Sequence, residues 1–291
     1  MIIMIKNSVY NNYKNLDDKK FKEAVGIPKI LFETIVPVLA EKVNKLHKGG
    51  GRNPSLCIED LLLMTLKYYR EYPTFSSLGL IFGIDKSNAF RWIIKIENML
   101  TNIFENIINI EVKCDDFNKK GKEITVSEKL VDVTECTIQR PKNSELQVYY
   151  YSGKKKKHTI KIQLIVDEKT KEIVSIAFDA GSIHDFLLFK NTTKNLNKLI
   201  SFLADSGYQG ITNIFKNSMI PKKKSKYNPL TNQDKELNKL ISSIRITIEH
   251  VNCQLKIFRI LSEFYQKKYR SRIKTFYKRA ILICYFYNYC L

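Results

Sequence analysis

The chain has 291 residues, of which 44% are hydrophobic, so it can bury one large core or two modest ones. Its 49 Lys and Arg outnumber 29 acidic residues, and the net charge of +20 favours a polyanionic partner, either nucleic acid or an anionic membrane surface. No apolar run reaches the roughly 18 residues of a spanning helix, and the N-terminal MIIMI is too short for a signal peptide. We therefore expect a soluble nucleic-acid-binding protein without a membrane role.

The arrangement of the cysteines and histidines indicates a reducing compartment and does not indicate a zinc site. Six Cys are scattered without a CxxC pair, and the four His do not pair with them at zinc spacing. This pattern predicts free thiols in a reducing cytoplasm and excludes a zinc finger.

Residues 1–110 carry apolar side chains at helical spacing, which predicts an all-α region. Within it, residues 74–98 predict a short helix beginning near Thr74, a turn at Gly83 and a second helix capped near Asp85. This is the helix–turn–helix pattern, and an ordinary helical hairpin is the alternative. We expect three residues of the first helix to pack against three of the second: Leu78, Ile81 and Phe82 against Ala89, Trp92 and Ile93. The second helix would offer polar groups to a major groove or to phosphates: Lys86, Ser87, Asn88 and Arg91.

The polar stretch 111–127 predicts an interdomain linker, after which the pattern becomes β. The segments that follow predict the order β-β-β-α-β-α, which is typical of an α/β layered domain over residues 128–291. The second and third strands are joined by a turn at Glu168–Lys171, and Asp167 at its start is expected to be solvated. Residues 182–200 and 235–262 predict the two helices.

Two acidic residues stand out in the predicted sheet. Asp132 lies within the first strand between two valines, and Asp205 follows a short apolar strand, at the end where open sheets place their sites. Unpaired acids are disfavoured in strands this apolar. A pair of divalent cations would account for them, because Mg²⁺ prefers hard oxygen ligands. Two such ions about 3.5–4 Å apart can stabilise both oxygens of a phosphoryl displacement.

A third acid lies on the last predicted helix. At about 100° per residue, Arg245, Glu249 and Lys256 fall within about 40° of one another and share a face. An apolar stripe runs beside them. One interpretation is a surface helix with ion pairs beside its buried side, and the other is a carboxylate held as a metal ligand at the rim of the core. The segment alone leaves both open.

Other acids near the predicted sheet are weaker candidates. Glu135 lies an odd number of positions from Asp132 and so faces the other side of a regular strand. His184 and Asp185 open a helix beside the sheet, where Asp185 is more often a cap than a ligand.

Several blocks in order resemble a bacterial insertion-sequence transposase of the DDE kind, related to Harbinger-type endonucleases. They are LVDVTECTIQRP, YYSGKKKKHTIKIQ, GSIHDFLLFK, LADSGYQG and RITIEHVNCQLKIFRIL, preceded by the helix–turn–helix block from GRNPSLCIEDLLLMTLKYYREY onward. The resemblance implies that Asp132, Asp205 and Glu249 are the catalytic, metal-binding carboxylates. Glu249 stands in an R-x3-E-x6-K pattern, whereas Val133 and Ser242 replace the family's usual Gly and Tyr.

The resemblance also implies a fold and a reaction. A ribonuclease H-like catalytic domain with a mixed sheet would follow the helix–turn–helix domain. The protein would bind terminal inverted repeats in double-stranded DNA, cleave there with two Mg²⁺ or Mn²⁺ ions, and join the 3′-OH to target DNA. It would work as at least a dimer in the nucleoid.

Several residues would support that reaction. Arg245 and Lys256 would hold phosphates or orient Glu249, with His184 and Asp185 in support. Basic runs would hold the DNA backbone: Lys154, Lys155, Lys156, Lys157, Lys222, Lys223, Lys224 and Lys226, and the segment QKKYRSRIKTFYKR. The alternatives are a non-catalytic DNA-binding regulator and a ribonuclease H-type nuclease.

Overall fold

The computed structural model describes residues 8–47, 50, 54–114, 117–119, 121, 124–225, 229–262 and 272–291. The chain divides into two compact units. The helical unit extends to Ile107 and also includes Ile257–Leu261 and Cys290. The sheet unit comprises Ile108–Lys256, Ser262–Tyr289 and Leu291. Each unit is described by itself below.

The helical unit confirms the predicted all-α region. After a 3-10 turn at Val9–Asn12, its helices are α1 (Asp18–Val25), α2 (Lys29–His47), α3 (Ile58–Glu71), α4 (Phe75–Phe82) and α5 (Lys86–Phe104). Helix α3 is the centre of the core, since every residue from Leu61 to Tyr69 is buried. The surrounding helices α1, α2, α4 and α5 all pack against it.

Helices α4 and α5 form the predicted helix–turn–helix, and local side-chain caps define it. The Thr74 side chain accepts a hydrogen bond from the Ser77 amide at the start of α4, and Asp85 does the same for Ser87 at the start of α5. Gly83 ends α4 with φ at 61°, a left-handed conformation that favours glycine.

Four of the residues expected to pack between the two helices are buried: Leu78, Phe82, Ala89 and Ile93. The expectation for Ile81 was wrong, because it is 44% exposed. Trp92 is half-buried.

The sheet unit has a seven-stranded mixed sheet, which confirms the predicted α/β class. Its strands are β1 (Glu111–Cys114), β2 (Phe117–Lys119), β3 (Glu128–Thr137), β4 (Tyr151–Ser152), β5 (Lys157–Asp167), β6 (Ile173–Ala180) and β7 (Ser201–Leu203). The order is β2-β1-β6-β5-β3-β7, with β4 paired to β5. Strands β3, β5 and β6 pair antiparallel, whereas β7 runs parallel to β3 and β1 runs parallel to β6.

The prediction of a linker at residues 111–127 was wrong in one respect, because β1 and β2 lie within it. Val112 is fully buried and pairs with Ile176 of β6. Charged residues flank Val112 in the sequence, and they conceal the strand there. The predicted domain boundaries themselves stay predictions.

The remaining helices are α6 (Ser144–Tyr150), α7 (Asp185–Thr192), α8 (Asn232–Lys256), α9 (Arg259–Ser262) and α10 (Arg272–Tyr289). Helix α7 is shorter than predicted, and the long helix expected at 235–262 is interrupted after Lys256. Helix α8 packs against β3, and α10 packs against β6 and α8. No helix among the residues described above is both long enough and apolar enough to cross a membrane.

Strand β3 has different neighbours on its two faces. Val131 points into an aromatic core that contains Phe189 of α7, together with Phe202 and Phe215. The next residue, Asp132, instead meets α8 through a hydrogen bond from Asn252. The alternation of the strand therefore directs a carboxylate towards α8.

Candidate active site

The sheet aligns the first two predicted catalytic acids. Parallel pairing of β3 with β7 matches Glu128 with Ser201 and Leu130 with Leu203. Continuing that register by two residues brings Asp132 level with Asp205, just beyond the end of β7. Neighbouring strands lie about 4.8 Å apart, so this extended register would place the two acids next to each other, and the charge of Asp205 does act on the Asp132 carboxyl. The turn after β7 fixes Asp205, whose Oδ1 accepts a hydrogen bond from the Gly207 amide at 2.7 Å.

Asp132 is a carboxylate held in a largely buried place. Its side chain is 25% exposed, and the Arg245 guanidinium approaches Oδ1 to 3.9 Å. The Asn252 amide donates a hydrogen bond to Oδ2 at 2.8 Å. Burial raises the pKa of Asp132 to about 6; the positive charge of Arg245 opposes the rise, and the negative charges of Asp205 and Asp185 add to it. Other acids therefore lie close enough to influence this carboxyl.

Helix α8 presents one polar face to β3. Arg245, Glu249, Asn252 and Lys256 fall within about 60° of one another around the helix axis. Arg245 and Asn252 both reach Asp132. Lys256 influences Cys136 farther along β3: burial raises the pKa of that thiol to about 12, and the charge of Lys256 opposes the rise. Four of the five residues of the predicted apolar stripe are buried, namely Ile241, Ile248, Val251 and Leu255, and the fifth, Ile244, is half-buried.

Glu249 lies at the outer edge of this face, about 40° around the helix axis from Arg245 and about 60° from Asn252, and is exposed. The described part of the chain contains no group of three or more His, Cys, Asp or Glu side chains that could hold a metal ion. The structure therefore aligns Asp132 with Asp205 and places Glu249 on the helix that faces Asp132. The metal-binding role of the three acids stays a prediction.

The two supporting candidates at the start of α7 have defined partners. His184, not Asp185, is the N-cap, because its Nδ1 accepts a hydrogen bond from the Phe186 amide at 3.3 Å. Asp185 instead forms an ion pair with Lys161 at 2.6 Å, and the same ammonium donates to the Ile183 carbonyl. The expectation that Asp185 caps the helix was wrong, since Lys161 on β5 holds it.

Two more residues belong to this site: Tyr208, which the sequence offered only as part of the block LADSGYQG, and Asn252, which it did not single out. The Tyr208 hydroxyl is buried without a hydrogen-bond partner in the described structure. Burial raises its pKa, and the charges of Asp185, Asp132 and Asp205 raise it further, so this tyrosine lies among the acids. Asn252 is the other. A polar residue within the apolar stripe of α8 was the only signal for it in the sequence.

The predicted DNA-binding residues on α5 form an exposed group in the helical unit. Lys86, Ser87, Asn88 and Arg91 are all exposed in the first turns of the helix. Arg91 Nη1 donates to Asn88 Oδ1 at 3.2 Å, which links two of them. The N-terminal turns of this second helix are therefore accessible, as a recognition helix requires.

The predicted basic runs lie in the sheet unit. Lys154–Lys157 are exposed where β4 turns into β5, and Lys222–Lys224 are exposed before α8. Lys222 Nζ forms an ion pair with Asp234 at 2.9 Å, so part of its charge is already neutralised. Lys226 and the first six residues of the segment QKKYRSRIKTFYKR lie outside the described residues, and the rest of that segment lies at the start of α10.

Comparison with known proteins connects these features. Residues 131–286 match the family model of the DDE superfamily endonuclease, and residues 54–105 match that of the helix-turn-helix of DDE superfamily endonuclease. The chain is also 40% identical over 276 residues to a probable transposase for insertion sequence element IS702 from Microchaete diplosiphon, a match that covers 95% of this chain and 96% of the relative. The chain belongs to the DDE superfamily of endonucleases.

The match covers both units of this DDE transposase. The endonuclease model begins at Val131, next to Asp132, and extends into α10, so it includes Asp205 and the polar face of α8. The helix-turn-helix model covers α3, α4 and α5, which identifies DNA as the partner of the helical unit. No solved structure matches the chain.

Proposed function

We propose that this DDE transposase binds the ends of an insertion element, cleaves a phosphodiester bond there and joins the freed 3′-OH to target DNA. The observation that carries the proposal is that β3 pairs with β7 and packs against α8. The register of the parallel pair aligns Asp132 with Asp205, and α8 lays Arg245 and Asn252 on the same carboxylate. An acidic pair beside a basic helix face suits a reaction on a phosphate group.

The donor set fits a hard divalent cation. Asp132 and Asp205 supply aligned carboxylates, and the buried Oδ1 of Asn252 lacks a hydrogen-bond partner among the described residues. Asp132, Asp205 and Glu249 would hold two Mg²⁺ or Mn²⁺ ions. When bound, such ions lower the pKa of a hydroxyl nucleophile and neutralise charge on the phosphate.

The chain's own residues prepare this site. The pKa of about 6 for Asp132 means that its carboxyl is mostly ionised at neutral pH and able to act as a ligand. Arg245 is 15% exposed and lies 3.9 Å from Asp132, where its charge limits the repulsion among the acids. Lys256 lies about three turns after Arg245 on the same face of α8 and would extend the basic surface offered to DNA. The raised pKa of the Asp132 carboxyl makes the site acid-sensitive, because protonation removes the ligand.

The exposed groups on α5 would recognise the terminal inverted repeats, and the lysines of the sheet unit would hold the DNA backbone. Base contacts give sequence preference, whereas phosphate contacts give affinity that depends on salt. With about eight phosphate contacts, the logarithm of the affinity should fall with that of the salt concentration at a slope near −7. The transposase would act on nucleoid DNA in the cytoplasm, as at least a dimer that joins two element ends.

The test is cleavage of a duplex that contains an element end, in the presence of Mg²⁺ or Mn²⁺. Wild type should nick the duplex, and Asp205→Ala should reduce the rate by at least about 100-fold, because the site loses one of two aligned ligands. Glu236→Ala, which removes an exposed acid from α8, is the matched control and should cleave normally. Equal cleavage by wild type and Asp205→Ala would refute the site, and metal-independent DNA binding without cleavage would indicate a regulator.

A further inference from the structure

Asn252 is a polar residue on the buried side of α8. It is 8% exposed and lies among Ile248, Val251 and Leu255, which are buried against the sheet unit. Burying an amide is unfavourable unless both of its polar atoms have partners. An apolar residue would fill this position at lower cost, so the contacts of the amide have to explain it.

One half of the amide has a partner. Nδ2 donates a hydrogen bond to Asp132 Oδ2 at 2.8 Å. An ionised carboxylate can only accept, so the amide must turn its NH₂ group towards Asp132 and its oxygen away from Oδ2. The neighbouring acid thereby fixes the orientation of Asn252.

The other polar atom of the amide, the oxygen Oδ1, is unpaired. Oδ1 of Asn252 is buried and has no hydrogen-bond partner among the described residues. Because Oδ1 and Nδ2 are bonded to one carbon, this acceptor also lies close to the Asp132 carboxylate. The site therefore holds a buried oxygen with a partial negative charge near an ionised carboxylate, and no donor among the described residues pairs with that oxygen. Arg245 does not donate a hydrogen bond to the Asn252 oxygen, and its own Nε is buried and unpaired as well.

A divalent cation would give the unpaired Asn252 oxygen a partner beside the Asp132 carboxylate. Hard cations in proteins combine carboxylate oxygens with the carbonyl oxygens of amides, and Asn is among their regular ligands. We propose that Asn252 is part of the metal site, with Nδ2 fixing the Asp132 carboxylate and Oδ1 supplying a neutral oxygen ligand beside it. This inference rests on the metal site of the proposed function, to which it adds one residue.

The experiment measures Mn²⁺ binding to the full chain without DNA, from the electron paramagnetic resonance signal of free Mn²⁺. Asn252→Ala removes both amide atoms and should weaken binding by about 10–100-fold, as loss of a supporting group at a metal site does. Asn252→Asp keeps an oxygen and adds a charge, so it should bind Mn²⁺ at least as tightly as wild type. Wild-type affinity in Asn252→Ala, or equal weakening in both variants, would overturn the proposal.

The controls separate this proposal from the proposed function. Asn238 lies on the same helix and pairs through both amide atoms with the backbone of Lys222, so Asn238→Ala should leave Mn²⁺ binding unchanged. Asp132→Ala should abolish binding. Binding that survives in Asp132→Ala would overturn the metal site itself, whereas loss there with normal binding in Asn252→Ala overturns only the role of Asn252. Should Asn252→Ala fail to fold, Asn252→Ser, which is too short to make both contacts, gives the same readout with the same expected weakening.

Discussion

The raised pKa of Asp132 predicts that removing this acid stabilises the folded protein in the absence of metal. The carboxyl titrates near 3.8 when unperturbed and near 6 in the folded chain. A raised carboxyl pKa contributes stability below the lower value and loses it as pH rises through the higher one. The ionised carboxylate therefore opposes folding at neutral pH. Asp132→Asn keeps the shape and an acceptor oxygen for Asn252 while removing the charge.

The expected change in the free energy of unfolding follows from the two pKa values. At about 1.4 kcal/mol per unit, the ionised form costs about 3 kcal/mol at pH 7.5, about 1.5 at pH 5 and about 0.5 at pH 4. These are upper limits, because a quarter of the side chain is exposed and water screens the charge. For a unit of 150–250 residues, about 3 kcal/mol raises the melting temperature by about 6–12 °C.

The assay is differential scanning calorimetry with a chelator present, at pH 5 and pH 7.5. Asp132→Asn should melt above wild type at both values, with the larger difference at pH 7.5. Asp234→Asn is a control of opposite sign, since the hydrogen bond from Lys222 lowers the pKa of that acid and its loss should not stabilise the protein. A variant that melts below wild type, or a difference that does not grow with pH, would refute the reasoning.

Two further predictions concern stability and DNA binding. Lys129 is fully buried and pairs with Asp167 at 2.6 Å, so Lys129→Ala should lower the free energy of unfolding of the sheet unit by about 3–5 kcal/mol in urea denaturation, whereas the exposed Lys169→Ala should change it little. A loss below about 1 kcal/mol for Lys129→Ala would contradict the role of the pair. Arg91→Ala should reduce the salt slope of binding to element-end DNA by about 1, and an unchanged slope and affinity would remove Arg91 from the interface.

The helix–turn–helix could be predicted from the sequence because its determinants are local. Thr74 and Asp85 cap the two helices through amides two or three residues away, and Gly83 provides the left-handed turn between them. Such contacts are visible in a short window of sequence. The exposure of Ile81 could not be predicted in this way, because it depends on how the neighbouring helices cover α4.

The parts of the sheet unit that were missed depend on contacts between distant segments. β1 was hidden because charged residues interrupt its apolar pattern, so the strand becomes recognisable only through its pairing with β2 and β6. Asp167 was expected to be solvated, yet it is buried. Burial alone would raise the pKa of its carboxyl, but hydrogen bonds from Lys129 and nearby groups lower it below the usual value. Lys129 and Asp167 are 38 positions apart in the sequence, so no local pattern could pair them.

The candidate site lies between these cases. The positions of Asp132 in a strand and Asp205 after one could be predicted from apolar runs, and the shared face of α8 from helical spacing. Their alignment required the parallel register of β3 and β7, which the sequence does not specify. The hydrogen bond between Asn252 and Asp132 required the packing of α8 on the sheet, which brings together residues that are 120 positions apart in the sequence.

The most direct test of the central claim is a crystal structure of the full chain with element-end DNA and Mn²⁺, using the anomalous signal of manganese to locate the ions. The account predicts two ions about 3.5–4 Å apart, bound by carboxylate oxygens of Asp132, Asp205 and Glu249 beside the scissile phosphate. Manganese bound elsewhere, or a Glu249 side chain directed away from Asp132 and Asp205 in the DNA complex, would contradict it.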